Sequence, residues 1–480
     1  MSLTKKVFSA TIIITIAGGL ARLFSIISAP ILTYLLGPTP YGIAALVGTF
    51  TTLASTIGLH GVDMSYARYY LTRSSLSNDN VERFCWRYVF MSSWIFSLLA
   101  ALYWGFFIET NTTGHLIALI VGIGTLSYIL NTMSLTRSRL NEKYNKIAIT
   151  IVVSGALSTL VTLGLAYWWR QDEWPLLIGS TFGILVNICI LGIPKIESLY
   201  KKSELNLHEK WKILQLGLTG SVTAPMYWIL TSSDRWFINL FMGKETVGIY
   251  SFANNMAYIG HLVTNAILYA WFPESIKAYE EKGEDACEIL SRVWEQLTLL
   301  LALVWFWVTS MGGDLIRILA TPEFYGGIIY IPWIAGGVFF NGMSYMANTE
   351  LLIGKNMKPA AFWWTIGAGS NLLFNYLFIR VWGALAAAII NCACFALIFA
   401  GVMWKSSKQF KLKINWNKLL VIMIILLFVG TLSHKPWHSH PFTSIIFKMP
   451  ICCIISLILV RMMVPGWTSK IRSIFGRSKE

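Results

Sequence analysis

Three charged residues stand inside stretches of chain that are otherwise apolar: Arg22, and the adjacent pair Asp234 and Arg235. A charge at the centre of a bilayer costs about 2.5–3.5 kcal/mol on insertion scales, so an ion at that depth implies a polar cavity or pathway. A guanidinium stays charged at any physiological pH and offers two parallel donors to a pair of oxygens, which suits it to phosphate. The attraction strengthens where water is excluded. Arg22 and Arg235, with Asp234 next to Arg235, are therefore candidate contacts for an anionic or phosphate-bearing substrate, and Arg68 after the second apolar segment is a further substrate-binding candidate. The competing reading is that Asp234 and Arg235 pair locally and serve as structural glue.

Other polar residues could carry a coupling ion. His60 and Asp63 close the second apolar segment, followed by Arg68 and Tyr69, while His261 and Asn265 lie one turn apart on the eighth. An intramembrane His or carboxylate can carry a proton or hold sodium. A carboxylate at a helix end is also commonly solvated, and a mid-helix His commonly packs, so both readings stay open. Glu350 and Lys448 lie near segment ends and are expected to snorkel or pair. His434, His438 and His440 cluster within seven residues without a carboxylate or Cys partner, and the cysteines form no zinc-ligand spacing, so no metal or other cofactor is expected.

The elements that must position these residues are membrane helices. Only 13% of the 480 residues are charged and 55% are hydrophobic, against roughly 25% charged in soluble domains, too few charges to cover a water-facing surface. Apolar segments long enough to cross a bilayer fall at 8–36, 41–62, 86–108, 115–136, 147–169, 175–194, 213–242, 246–272, 293–313, 326–353, 360–380, 383–404, 417–433 and 442–464. The first is too long for a signal peptide and reads as a retained helix. The stretch Glu280 to Glu295 is expected as an amphipathic cytoplasmic helix leading into the ninth segment.

Lys and Arg give the orientation. Of 38, 30 lie at the termini or in loops after even-numbered segments, and 5 lie in the opposite loops. The positive-inside rule places both termini in the cytoplasm and favours an even number of spans, about fourteen. The charge of +15 is therefore a topology signal, and nucleic acid is not expected as a partner. The loops on the other side are short.

An internal repeat joins the halves. Gly37 and Gly42 after the first segment correspond to Gly243 and Gly248 after the seventh, an offset of 206 residues. Six segments separate the copies, so both cross in the same direction, as in parallel transporter repeats. The expected domains are a six-helix bundle over 1–200, a second over 201–404, and two helices with a cytoplasmic tail over 405–480. No Walker-type phosphate loop, dinucleotide fingerprint or nucleophile constellation occurs, so nothing points to an enzyme.

Several of these residues also carry a family resemblance. Arg22, Leu35-Leu36-Gly37-Pro38-x-x-Tyr41-Gly42, Gly58-Leu59 and Arg68 resemble the first two helices of Wzx-type polysaccharide flippases. Asp234-Arg235-x-x-Ile238, Gly243-x-x-x-Val247-Gly248-x-Tyr250 and Ala253 are similar to that family's seventh and eighth helices, and Asn371-x-x-x-Asn375 with Gly383-Ala384 to its eleventh and twelfth. The resemblance spans about residues 8–404; Arg380-Val381-Trp382 departs from the Ile-Pro pair usual there. It implies the fold of the multidrug/oligosaccharidyl-lipid/polysaccharide exporters, an all-α membrane protein with two six-helix bundles around a central cavity plus two C-terminal helices. It further implies a bacterial inner-membrane flippase for undecaprenyl-pyrophosphate-linked repeat units of O-antigen, capsule or exopolysaccharide, with Arg22 and Arg235 on pyrophosphate or acidic sugar. A polysaccharide polymerase and a chain-length regulator are its implied partners, and a monomer is the expected state. Rival readings are a lipid II flippase, a cation-coupled drug exporter of the same fold, and a membrane glycan polymerase.

Overall fold

The computed structural model describes residues 3–71, 78–194, 203–221, 223–353, 356–409 and 412–463. The expected tail over 464–480 lies outside these residues, as do the loop cations Arg73, Lys195, Lys201, Lys202, Lys355 and Lys411. Among the described residues the regular structure is helical and no strand occurs. The chain forms two compact units, Met1–Ser251 and Phe252–Glu480.

The first unit holds α1 (Leu3–Leu36), α2 (Pro38–Leu59), α3 (Val62–Leu71), α4 (Asn78–Tyr103, prolonged by a π turn, Trp104–Ile108) and α5 (Thr112–Leu140). It continues with α6 (Tyr144–Trp168), α7 (Trp174–Leu191), α8 (Leu207–Ser221), α9 (Thr223–Met242) and the opening turns of α10 (Lys244–Ala257). α1 packs along α6 and α6 along α7, while α2 lies on α4 and α5. The predicted segment 213–242 falls on α8 and α9, which flank residue 222, itself outside the described residues.

Glycine starts both repeat copies. Gly37 has φ 73° and Gly243 φ 87°, a left-handed backbone that glycine adopts without a Cβ penalty. Pro38, already fixed near helical φ, then opens α2. Past these turns the two copies meet. A methyl built on Gly42 would lie 1.8 Å from the carbonyl oxygen of Lys244, and one on Gly248 would lie 1.8 Å from that of Pro38. The contact is reciprocal, since Pro38 and Lys244 are separated by the same offset as Gly42 and Gly248.

The second unit holds the rest of α10 and then α11 (Ile259–Lys282), α12 (Ala286–Leu319), α13 (Ile331–Ile353), α14 (Lys358–Trp382), α15 (Ala384–Gln409), α16 (Trp416–His434) and α17 (Pro441–Met463). α13 packs most extensively on α15, and α12 carries both α16 and α17. The predicted segment 246–272 breaks at Tyr258, where the His261 amide donates to the Tyr258 carbonyl at 3.0 Å. The stretch Glu280 to Glu295 is helical over its later part: α11 ends at Lys282, a 3-10 turn covers Gly283–Asp285, and from Ala286 the chain runs unbroken into α12.

Side-chain placement is that of a membrane protein. On α16, Leu420, Val421, Ile424, Phe428 and Leu432 face outward, while Leu419, Ile422, Leu426, Gly430 and Ser433 are turned in. Large apolar groups are satisfied by lipid, so small and polar residues are free to mediate helix contacts. Eleven helical stretches among the described residues are long and apolar enough to cross a membrane. α9, the broken pair α10–α11, and α14 are the remaining predicted segments; they are helical but fall outside that group.

Candidate anion and coupling sites

α9 and α10 fold back on each other about the Gly243 turn, which brings residues 234–235 against 250–251. The Tyr250 hydroxyl donates to Asp234 Oδ2 at 2.6 Å. The Arg235 Nε donates to the Ser251 hydroxyl at 3.2 Å, and Nη1 to the Thr231 carbonyl at 2.8 Å. Nη1 also stands 3.4 Å from Asp234 Oδ1, which accepts the Arg235 amide at 2.9 Å. Asp234 is 1% exposed and Arg235 7%. The guanidinium is therefore held by its own helix and the next, its charge is balanced by one carboxylate, and Nη2 makes none of these bonds. Such a group can present a fixed cation edge to an oxyanion without losing its anchorage.

Arg22 is half-buried on α1, beside the close approach of α1 and α6, where a methyl on Gly155 would sit 3.0 Å from the Ala21 Cβ.

His60 and Asp63 fall together at the turn from α2 to α3. His60 ends α2 in the left-handed region at φ 51°. Its Nδ1 lies 3.3 Å from the Tyr88 hydroxyl, and Phe96 packs edge-on against the ring at 5.2 Å. Burial holds the imidazole below its ordinary pKa. Burial pushes the Asp63 carboxyl up, opposed by hydrogen bonds from the Met64 and Asp63 amides and by the Arg139 guanidinium. Arg68 is exposed on α3. His261 and Asn265 belong to the second unit on α11; the His261 ring is half-buried, 5.4 Å from that of Tyr258, and Asn265 is exposed.

Two buried carboxylates were not singled out from the sequence as members of a site. Lys448 Nζ donates to Asp314 Oδ2 at 2.6 Å and to the Ser310 carbonyl at 3.2 Å, with both charged side chains fully buried. Ser444 adds a donor to the same oxygen at 3.0 Å. Asp314 falls one residue beyond the predicted segment 293–313, where it reads as a loop residue. Lys448 pairs, as expected of it. Glu350, the second, is buried and accepts from the Ser406 hydroxyl of α15. Among the described residues no group of three His, Cys, Asp or Glu could hold a metal ion.

A family model described as polysaccharide biosynthesis protein matches residues 7–278, more than half of the chain and including the whole Asp234–Arg235–Tyr250–Ser251 knot. The chain belongs to this family. No curated protein matches it significantly in sequence. Among solved structures, this family member is similar to lipid II flippase MurJ in an inward closed conformation, at 14% identity and TM-score 0.71, covering 94% of this chain and 98% of that one. It is also similar to an inward-facing MATE family multidrug resistance transporter of the MOP superfamily, at 12% identity and TM-score 0.64, covering 85% and 99%. A MOP superfamily transporter from Pyrococcus furiosus matches at 13% identity and TM-score 0.56, covering 84% and 96%. The family member is thus a multi-pass membrane protein with the fold shared by MurJ and MATE transporters.

Proposed function

We propose that this protein flips undecaprenyl-pyrophosphate-linked oligosaccharide repeat units from the cytoplasmic to the periplasmic leaflet of a bacterial inner membrane, by alternating access and without covalent chemistry. The glycan would belong to an O-antigen, capsule or exopolysaccharide. Membership of the polysaccharide biosynthesis family is the observation that carries this reading. The balanced but anchored Arg235 guanidinium supports it, because a lipid pyrophosphate needs a cation that stays in place in an apolar setting. Arg22 and Arg235 are the proposed pyrophosphate or acidic-sugar contacts, Asp234 holds Arg235, and Arg68 meets substrate entering from the cytoplasm. His60, Asp63, His261 and Asn265 are the proposed coupling groups. Both termini are cytoplasmic, and a polymerase and a chain-length regulator act on the delivered units.

Deleting the gene should trap complete repeat units on the cytoplasmic leaflet and remove the surface polysaccharide. Loss of peptidoglycan synthesis would point instead to lipid II. Intact surface glycan with altered drug resistance would move the assignment to an exporter. Single unpolymerised units at the surface would move it to a polymerase.

A further inference from the structure

The reciprocal contact between the repeat copies is more than a packing detail. We propose that the crossing of α2 and α10 at Gly42 and Gly248 is a backbone seal, closed here, that must part during each transport cycle. Each glycine sits under the carbonyl of the residue four positions before its counterpart, Lys244 over Gly42 and Pro38 over Gly248. No Cβ fits at either position, so the two helices close main chain to main chain. A side-chain interface resists sliding because its knobs lock into holes. This one has no knobs, so it closes tightly and separates without repacking a core. Its symmetry lets both copies withdraw equally. On the topology proposed above, it lies at the external ends of both helices.

Lys244 makes the seal a two-part device. Its carbonyl covers Gly42 while its ammonium pairs with Glu109, in the turn between the π segment and α5. One residue thus ties α10 to α2 through its main chain and to the α4–α5 turn through its side chain. The ion pair is the part that water can reach and loosen when the seal opens.

The inference rests on the transport reading, but its first test needs no substrate. In full-length protein with its seven native cysteines replaced, Thr52→Cys places a thiol on α2 nearly three turns deeper than Gly42, where the native hydroxyl is exposed and bonds the Gly48 carbonyl of its own helix. A membrane-impermeant thiol reagent added from outside then reports how often the seal is open. Gly42→Ala and Gly248→Ala should each raise the labelling rate by about tenfold, because the added methyl cannot share space with the facing carbonyl. Gly164→Ala, which meets nothing within 4 Å, is the control and should leave the rate unchanged. Rates equal to the control in both glycine variants would overturn the proposal.

The second test asks whether the contact moves. Thr39→Cys with Glu245→Cys, oxidised to a disulfide in cells, should stop delivery of surface glycan and release it again on reduction. Continued delivery with the disulfide intact would show that the crossing is a fixed joint, and the proposal fails. If deleting the gene leaves surface glycan intact, the assigned cargo is wrong, glycan delivery ceases to be a readout, and the labelling rates alone decide the seal.

Discussion

At the scale of single residues, the chemistry lies in how charges are held rather than in their presence. Arg235 is gripped by Ser251, Thr231 and Asp234, and Asp234 in turn by Tyr250. Lysine can supply the charge but not the fork. Arg235→Lys should therefore keep normal membrane abundance while lowering repeat-unit delivery by about tenfold or more, measured as surface polysaccharide per copy of protein. Full activity in that variant would leave Arg235 as structural glue only. His60 makes a pH prediction of definite sign. Its folded pKa is lowered, so the folded state favours the neutral ring, and the stability this gives is full above about pH 6.5 and lost as pH falls towards the folded value. Going from about pH 7.5 to about pH 5.5, which spans the ordinary imidazole value, His60→Gln should lose less melting temperature than the native protein. Equal losses would show that another group governs acid sensitivity.

At the scale of elements, the C-terminal hairpin of α16 and α17 is fastened to α12 at both ends. At one end, Lys448 pairs with Asp314, and Arg317 of α12 donates to the His438 and Ser439 carbonyls in the connecting turn. At the other, the amides of Lys413 and Asn415 donate to Ser291 and Glu295 of α12. Removing one partner of a buried pair leaves an uncompensated charge and costs about 3–5 kcal/mol, whereas replacing both by apolar groups is often near neutral. Lys448→Met alone should sharply lower the melting temperature, and adding Asp314→Leu should restore most of it. Equally unstable single and double variants would show that the neighbouring Ser310 and Ser444, not the ion pair, hold the hairpin. The sequence places both helices but is silent on this clasp, because the partners are far apart along the chain and Asp314 sits just past a segment boundary that periodicity locates only to a few residues.

At the scale of the whole molecule, topology is the claim most exposed to test. The expectation of about fourteen spans depends on α9, α10–α11 and α14, which lie outside the clearly apolar set found among the described residues. Reporter fusions after Lys405 should be active only in the cytoplasm, and fusions after Lys435 only outside. The opposite pattern would mean that one upstream segment does not cross. Legibility followed the range of the physics. Membrane residence depends on the composition of about twenty consecutive residues, and sidedness on loop cations, so the sequence by itself determines the helical membrane class and the position of the clearly apolar segments, and sets an expected orientation. It also exposes Arg22, Asp234 and Arg235, since an ion among apolar neighbours stands out locally. Tyr250 as the partner of Asp234, Lys448 as that of Asp314, and Lys244 over Gly42 are decisions of tertiary structure. A hydrogen bond or a glycine contact is made within an ångström or so between helices distant along the chain, and no window of sequence contains that distance.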